Sequence, residues 1–224
     1  MEPFKIPGVI KDLREQYPKA DVIKNIIKSG DKTAKEFIIR LWLSEGIPYA
    51  FRECPAIYES IRSLIAMRLD ISPKDISLTG SARIGESLAP NKLGQPFDSN
   101  SDLDIFIVSE NLFNRLKEDF MNWSFAFENG DKKPANETER RYWLDNYEKG
   151  SKNIGRGFID SNKIPNHDEY KTAREVSQTM WLVTEKMNNT PNAPKVSKAS
   201  VRCYKTWYYH INQVSLNLQE LEKF

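Results

Sequence analysis

The 224 residues are enough for one large globular domain, or for one domain with a helical annex. Hydrophobic residues at 39% and aromatics at 11% supply a core and exclude a disordered chain. Lys plus Arg total 33 against 31 for Asp plus Glu, and a net charge of +2 argues against a general nucleic-acid coat protein while leaving room for a local basic pocket.

The opening residues (MEPFKIPGVIKDLREQ) lack the long apolar run of a signal peptide, and no stretch approaches the roughly 18 apolar residues of a membrane span. A soluble, cytoplasmic protein is expected. Val9, Leu13 and Tyr17 mark a short helix, and Phe37, Ile38, Leu41 and Trp42 a second. A third carries Ile57, Ile61, Leu64 and Ile65 after the break at Cys54-Pro55, and Ser72-Pro73 ends this helical region. Residues 76–79 (ISLT) read as a buried strand ending in the Gly80-Ser81 turn. Residues 88–100 form a loop, and 101–109 (SDLDIFIVS) a central strand.

Leu112, Leu116, Phe120, Trp123 and Phe127 form the stripe of a helix docked on the sheet. Residues 128–136 break the pattern, 137–149 are helical, and the glycines of 150–165 predict a loop. A helix over 170–187, a turn over 188–194 and a strand over 196–204 follow. The last helix carries Trp207, Ile211, Val214, Leu218 and Leu221 on one stripe. The expected fold is α+β, a small mixed sheet flanked by helices from both chain ends. Residues 1–70 form a helical region packed on the core, and 71–224 the core with its C-terminal helices.

Two lone cysteines, Cys54 and Cys203, exclude a disulfide framework and disfavour structural zinc, and Cys203 reads as a buried thiol. Neither His167 nor His210 has a partner at ligand spacing, and His210 reads as a surface residue.

The chemistry concentrates at Gly80-Ser81 and Asp102-Leu103-Asp104. Strand alternation sends both aspartates to one face while Leu103, Ile105 and Ile107 point into the core. Paired carboxylates on an apolar strand resist burial, and Mg²⁺ (or Mn²⁺) resolves that conflict by binding a few carboxylates plus substrate phosphates. Gly80 lets a phosphate approach the backbone, Ser81 and Ser87 offer hydroxyls, and Gly85 keeps the turn open. Residues 82–88 begin a helix whose N-terminus favours anions. Arg83 either reaches a phosphate or covers the core. Lys198, Arg202 and Lys205 are cations placed to neutralise a triphosphate, beside an aromatic cluster of Tyr204, Trp207, Tyr208 and Tyr209 that can stack a base. Trp207 also belongs to the helix stripe and reads as core.

GSARIGES followed by SDLDIFI resembles the signature of the DNA-polymerase-β-like nucleotidyltransferase superfamily: a GS turn, a small helix, then a strand bearing DxD. The likeness covers residues 76–109, about a seventh of the chain. The long loop between the two motifs also resembles nucleotidyltransferases of bacterial antiphage defence. The resemblance implies an ATP- or other nucleotide-binding transferase with two metal ions. In it Gly80 and Ser81 bind the triphosphate, Ser87 assists, and Asp102 and Asp104 bind metal; Arg83 and Arg202 join the nucleotide-binding candidates from the residue pattern alone. The family adds a third carboxylate on a later strand, and strand 196–204 has none; Asp160 is the best substitute, as a third metal ligand. The implied reaction moves a nucleoside monophosphate from an NTP or dNTP to a hydroxyl on a small molecule, a nucleotide or an oligonucleotide end, including synthesis of a defence signal. Alternatives are toxin-type nucleotidylation of a protein and a catalytically impaired nucleotide-binding module. A short single strand, a protein acceptor, a second copy of the chain and an operon partner are compatible partners; a membrane is not expected.

Overall fold

The computed structural model describes residues 3–223 of the chain. It is an α+β fold built on one four-stranded mixed sheet. The strands are β1 (Ile76–Leu78), β2 (Leu103–Val108), β3 (Phe158–Asp160) and β4 (Ala199–Tyr204), in the order β1-β2-β4-β3. β2 runs antiparallel to β1 and parallel to β4, and β3 is antiparallel to β4. β2 is therefore central, and its residues are buried with one exception, Asp104, which is exposed.

Alternation divides the sheet. Leu78, Leu103, Ile105, Ile107, Val201, Cys203 and Ile159 belong to the main core. Against them pack three helices: α3 (Pro55–Leu69), α5 (Glu110–Glu128) and α7 (Lys171–Asn189). α3 starts at Pro55, whose missing N–H costs nothing in a first turn, and ends where Asp70 turns left-handed at φ 53°. α5 begins where the Ser109 side chain accepts from the Leu112 N–H. α7 has no cap of its own; the buried Asp119 carboxylate of α5 accepts from the Ala173 N–H at 2.9 Å and ties the two helices together.

The opposite face is divided between a small apolar cluster (Phe106, Val108, Phe158, Tyr204) and a polar half carrying Asp104, Ser200, Arg202 and Asp160. α8 (Trp207–Gln219) crosses near this face and joins the N-terminal segments in a second core. That core contains Ile23, Ile26 and Ile27 of α1 (Ala20–Ser29), Ala34 of α2 (Lys32–Phe37), Ile38 and Ile39 of the π-helical turn after it, and Leu218 and Leu221 from the chain's end. The core thus divides between α2 and α3, with α3 joining the sheet and residues 10–43 joining 211–221.

Two local expectations are corrected. Val9, Leu13 and Tyr17 do not share a helix: only the single turn Gly8–Ile10 forms, between Pro7 and Pro18, while α1, which the pattern reading passes over, follows. Residues 150–165 are not all loop. α6 (Glu137–Gly155) runs through Gly150, and β3 follows it. Gly150 is there for packing, since a Cβ at that position would lie 2.2 Å from the Phe120 ring. Among the described residues no helix is long and apolar enough to cross a membrane.

Candidate active site

β1 ends at Leu78, and the Thr79 N–H continues the ladder by donating to the Asp104 carbonyl at 2.9 Å. Gly80 then adopts φ 67°, ψ −154°, a conformation that side chains rarely tolerate. A Cβ on Gly80 would sit 3.4 Å from Asp104 Oδ2, so the bend lies directly over the carboxylate. The helix α4 (Ser81–Ile84) begins there, and Gly85 ends it at φ 93° under the Tyr49 ring. With only four residues, α4 has too few aligned peptides for the anion-attracting dipole expected of it, and only its first amides lack an intrahelical acceptor.

Asp102 lies just ahead of β2, half-exposed, and Asp104 is the second residue of the strand. The parallel neighbour meets them in step. Lys198 Nζ lies 3.5 Å from Asp102 Oδ2, and Ser200 Oγ donates to Asp104 Oδ1 at 2.8 Å. The Leu103 N–H donates to the Lys198 carbonyl at 2.8 Å, which holds this register. Ser200 thus takes one oxygen of Asp104 and leaves the other beside Gly80.

Gly80, Ser81, Ser87, Lys92, Asp102 and Asp104 line one cleft of about 640 Å³. Ser87 is held in a tight loop, its N–H donating to Gln95 and its carbonyl accepting from Gly94. A second cleft of about 1200 Å³ lies over the polar half of the sheet and is lined by Asp104, Tyr142, Asp160, Lys163, Trp181 and Arg202, among others. Asp104 borders both.

Other expected site residues lie elsewhere. Asp160 faces Arg202 across β3–β4, while Asp104 faces Ser200. Two strand spacings and two residues separate Asp160 from Asp104, roughly 11–12 Å, too far for both to ligate one ion. Asp160 instead accepts from Arg202 Nε at 2.6 Å and Nη2 at 3.2 Å, and from Asn153 Nδ2 at 3.2 Å. Burial pulls the Arg202 pKa down, but the bidentate Asp160 carboxylate outweighs it and raises it. Arg202 is therefore spent on Asp160 and on the Phe158 ring, 4.6 Å below it. Among the described residues no three His, Cys, Asp or Glu side chains converge as a metal centre.

Arg83 is 2% exposed, and its guanidinium donates to the carbonyls of Trp42 (2.8 Å) and Ile47 (2.9 Å). It is the core-covering arginine of the two readings, tying the N-terminal segment to the glycine turn; burial lowers its pKa. Lys205 pairs with Glu110 at the far end of β4. In the aromatic cluster Tyr204 is core, edge-on to Phe106, whereas Trp207, expected in the core, is 42% exposed. Cys203 is buried as expected, its thiol pushed up to about 12 by burial.

His210 is corrected most sharply: it is 1% exposed, stacked on Phe106 at 4.1 Å and in contact with Ser44 Oγ at 2.9 Å. Sequence reading also missed Glu86, whose carboxylate accepts from the Ala20 N–H at 2.8 Å and anchors the start of α1 beside the site. An acid two residues before Leu88 carries no signal of a contact 66 positions away.

Comparison with protein-family models, curated proteins and solved structures finds no match.

Proposed function

We propose that this chain is a metal-dependent nucleotidyltransferase, moving a nucleoside monophosphate from a nucleoside triphosphate to a hydroxyl acceptor. The observation that carries the reading is the approach of Gly80 to the free oxygen of Asp104, at the junction of two clefts. In-line transfer needs the attacking and leaving groups on opposite sides of one phosphorus. The cleft with Gly80, Ser81 and Ser87 takes the triphosphate tail, and the larger cleft takes the acceptor, whose hydroxyl forms the new O–P bond as pyrophosphate leaves.

Asp102 and Asp104 suit Mg²⁺ or Mn²⁺, which is content with one or two carboxylates when phosphates complete its shell. A bound ion supplies Lewis-acid polarisation and charge neutralisation there. The protein's own share is positional: Ser200 orients Asp104, and Gly80 admits the phosphate by having no side chain. Transfer to a polypeptide hydroxyl is the same chemistry with another acceptor.

One observation favours a second reading, a nucleotide-binding module without transfer. The residue opposite Asp104 on β4 is Ser200, where the family resemblance implies an acid. Incubation with labelled triphosphates and Mg²⁺ or Mn²⁺ separates the two. Pyrophosphate release with a labelled product supports transfer, and the label's location identifies the acceptor; binding without release supports the module. Both aspartates are solvent-accessible, so Asp102→Asn with Asp104→Asn is expected to abolish turnover and leave the thermal melt unchanged. Undiminished product from that variant refutes the assignment.

A further inference from the structure

We infer that Lys198 is a resident counter-ion that competes with a divalent cation for Asp102, so that this centre takes its metal together with the triphosphate rather than alone. The inference rests on the transferase reading. Its starting point is the charge around the two carboxylates. Lys198 sits 3.5 Å from Asp102, and the residue opposite Asp104 is a neutral hydroxyl donor. No third acid joins Asp102 and Asp104 among the described residues.

A cation arriving by itself gains two carboxylates but must displace or repel the ammonium. A cation arriving with a triphosphate brings several anionic oxygens, and the displaced ammonium then has a phosphate to pair with. The same side chain thus opposes metal alone and favours metal with nucleotide, and by linkage each raises the other's affinity. Lys198 is free to make this exchange. Its side chain is 67% exposed, and only its backbone carbonyl is used in the ladder, by Leu103. Ser200 stays with Asp104 throughout and acts as a positioning residue.

The test is a titration of Mn²⁺ followed by electron paramagnetic resonance, alone and then with each of the common ribo- and deoxyribonucleoside triphosphates. It compares wild type, Lys198→Met and Lys198→Arg, with thermal melts as the folding control. One charge at this distance in a mostly aqueous setting is worth about a tenfold effect. Lys198→Met is expected to bind Mn²⁺ alone about tenfold more tightly and the Mn²⁺–triphosphate complex about tenfold more weakly; Lys198→Arg keeps the wild-type pattern. As a second variant, Ser200→Asp adds an acid opposite Asp104 and is expected to tighten Mn²⁺ binding without nucleotide. Equal Mn²⁺ affinity in wild type and Lys198→Met, with the triphosphate complex still bound by both, overturns the counter-ion role alone. Failure of every protein to bind any Mn²⁺–triphosphate complex overturns the transferase reading and this inference with it.

Discussion

The imidazole of His210 lies between Phe106 and Ser44, and its neighbours decide its protonation. Ser44 Oγ–H donates to the Ile39 carbonyl at 2.7 Å, so its oxygen accepts from His210 Nε2–H, leaving Nδ1 as a buried acceptor without a partner among the described residues. Burial, aided by the Arg202 charge, pulls the His210 pKa down from 6.5 to about 4. Because the folded-state value is depressed, the stabilisation is present above 6.5 and is lost as pH falls toward 4, about 3 kcal/mol in all. Urea midpoints measured across that window should fall in the wild type and fall distinctly less in His210→Gln. An equal decline in both would show that another group titrates. At Gly80, alanine is expected to cost about 1–3 kcal/mol because the backbone is one that glycine alone adopts readily. Its methyl would also meet Asp104 Oδ2 at 3.4 Å, an ordinary contact distance, and would occupy the space through which a phosphate reaches the backbone, so triphosphate affinity should drop together with the denaturation midpoint. Gly80 stands out in the sequence beside its DxD partner; the burial of His210 does not, because a histidine at the start of an amphipathic helix reads as a surface residue, and only the cover of Phe106 and Ser44 removes it from water.

At the scale of elements, the long periodic helices α3 and α5 are legible from their apolar spacing, since each lays a stripe on one core. The sequence ends α6 at residue 149, because Gly150 has the appearance of a breaker, whereas packing against Phe120 is what requires glycine there. Gly150→Ala therefore tests steric fit against helix propensity. Alanine gains up to about 1 kcal/mol in propensity but overpacks the α5–α6 contact by about 1–3 kcal/mol, so a net loss of stability is expected. The loss should shrink in a Phe120→Leu background, where the ring is gone, and a double-mutant cycle in denaturant measures that coupling. Purely additive effects would mean the helices already stand far enough apart.

For the molecule as a whole, the second core joins the two ends of the chain: Leu221, nearly at the terminus, packs with Ile23, Ile27 and Ile38. Leu221→Ala is expected to cost about 2–5 kcal/mol, as for a buried leucine elsewhere. Hydrogen exchange should then accelerate in α1 and α2, at the opposite end of the sequence, more than in α5 or α7. Acceleration spread evenly over all helices would indicate one undivided cooperative unit. Arg83 and Glu86 link this layer to the glycine turn, through the Trp42 and Ile47 carbonyls and the Ala20 N–H, so loosening it should also loosen the candidate site.

By itself the sequence determined the α+β class, the strand–turn–strand around Gly80 and Asp104, and the apolar faces of the long helices. Each is encoded by a local period or a short motif within a few residues. Tertiary structure alone decided that Ser200 faces Asp104, that Asp160 spends its carboxylate on Arg202, and that Arg83 and His210 are buried. Those outcomes depend on strand register and on which distant segments cover the sheet. Side-chain alternation specifies a face but not a neighbour, and pairing across strands some forty to a hundred residues apart leaves no periodic trace along the chain.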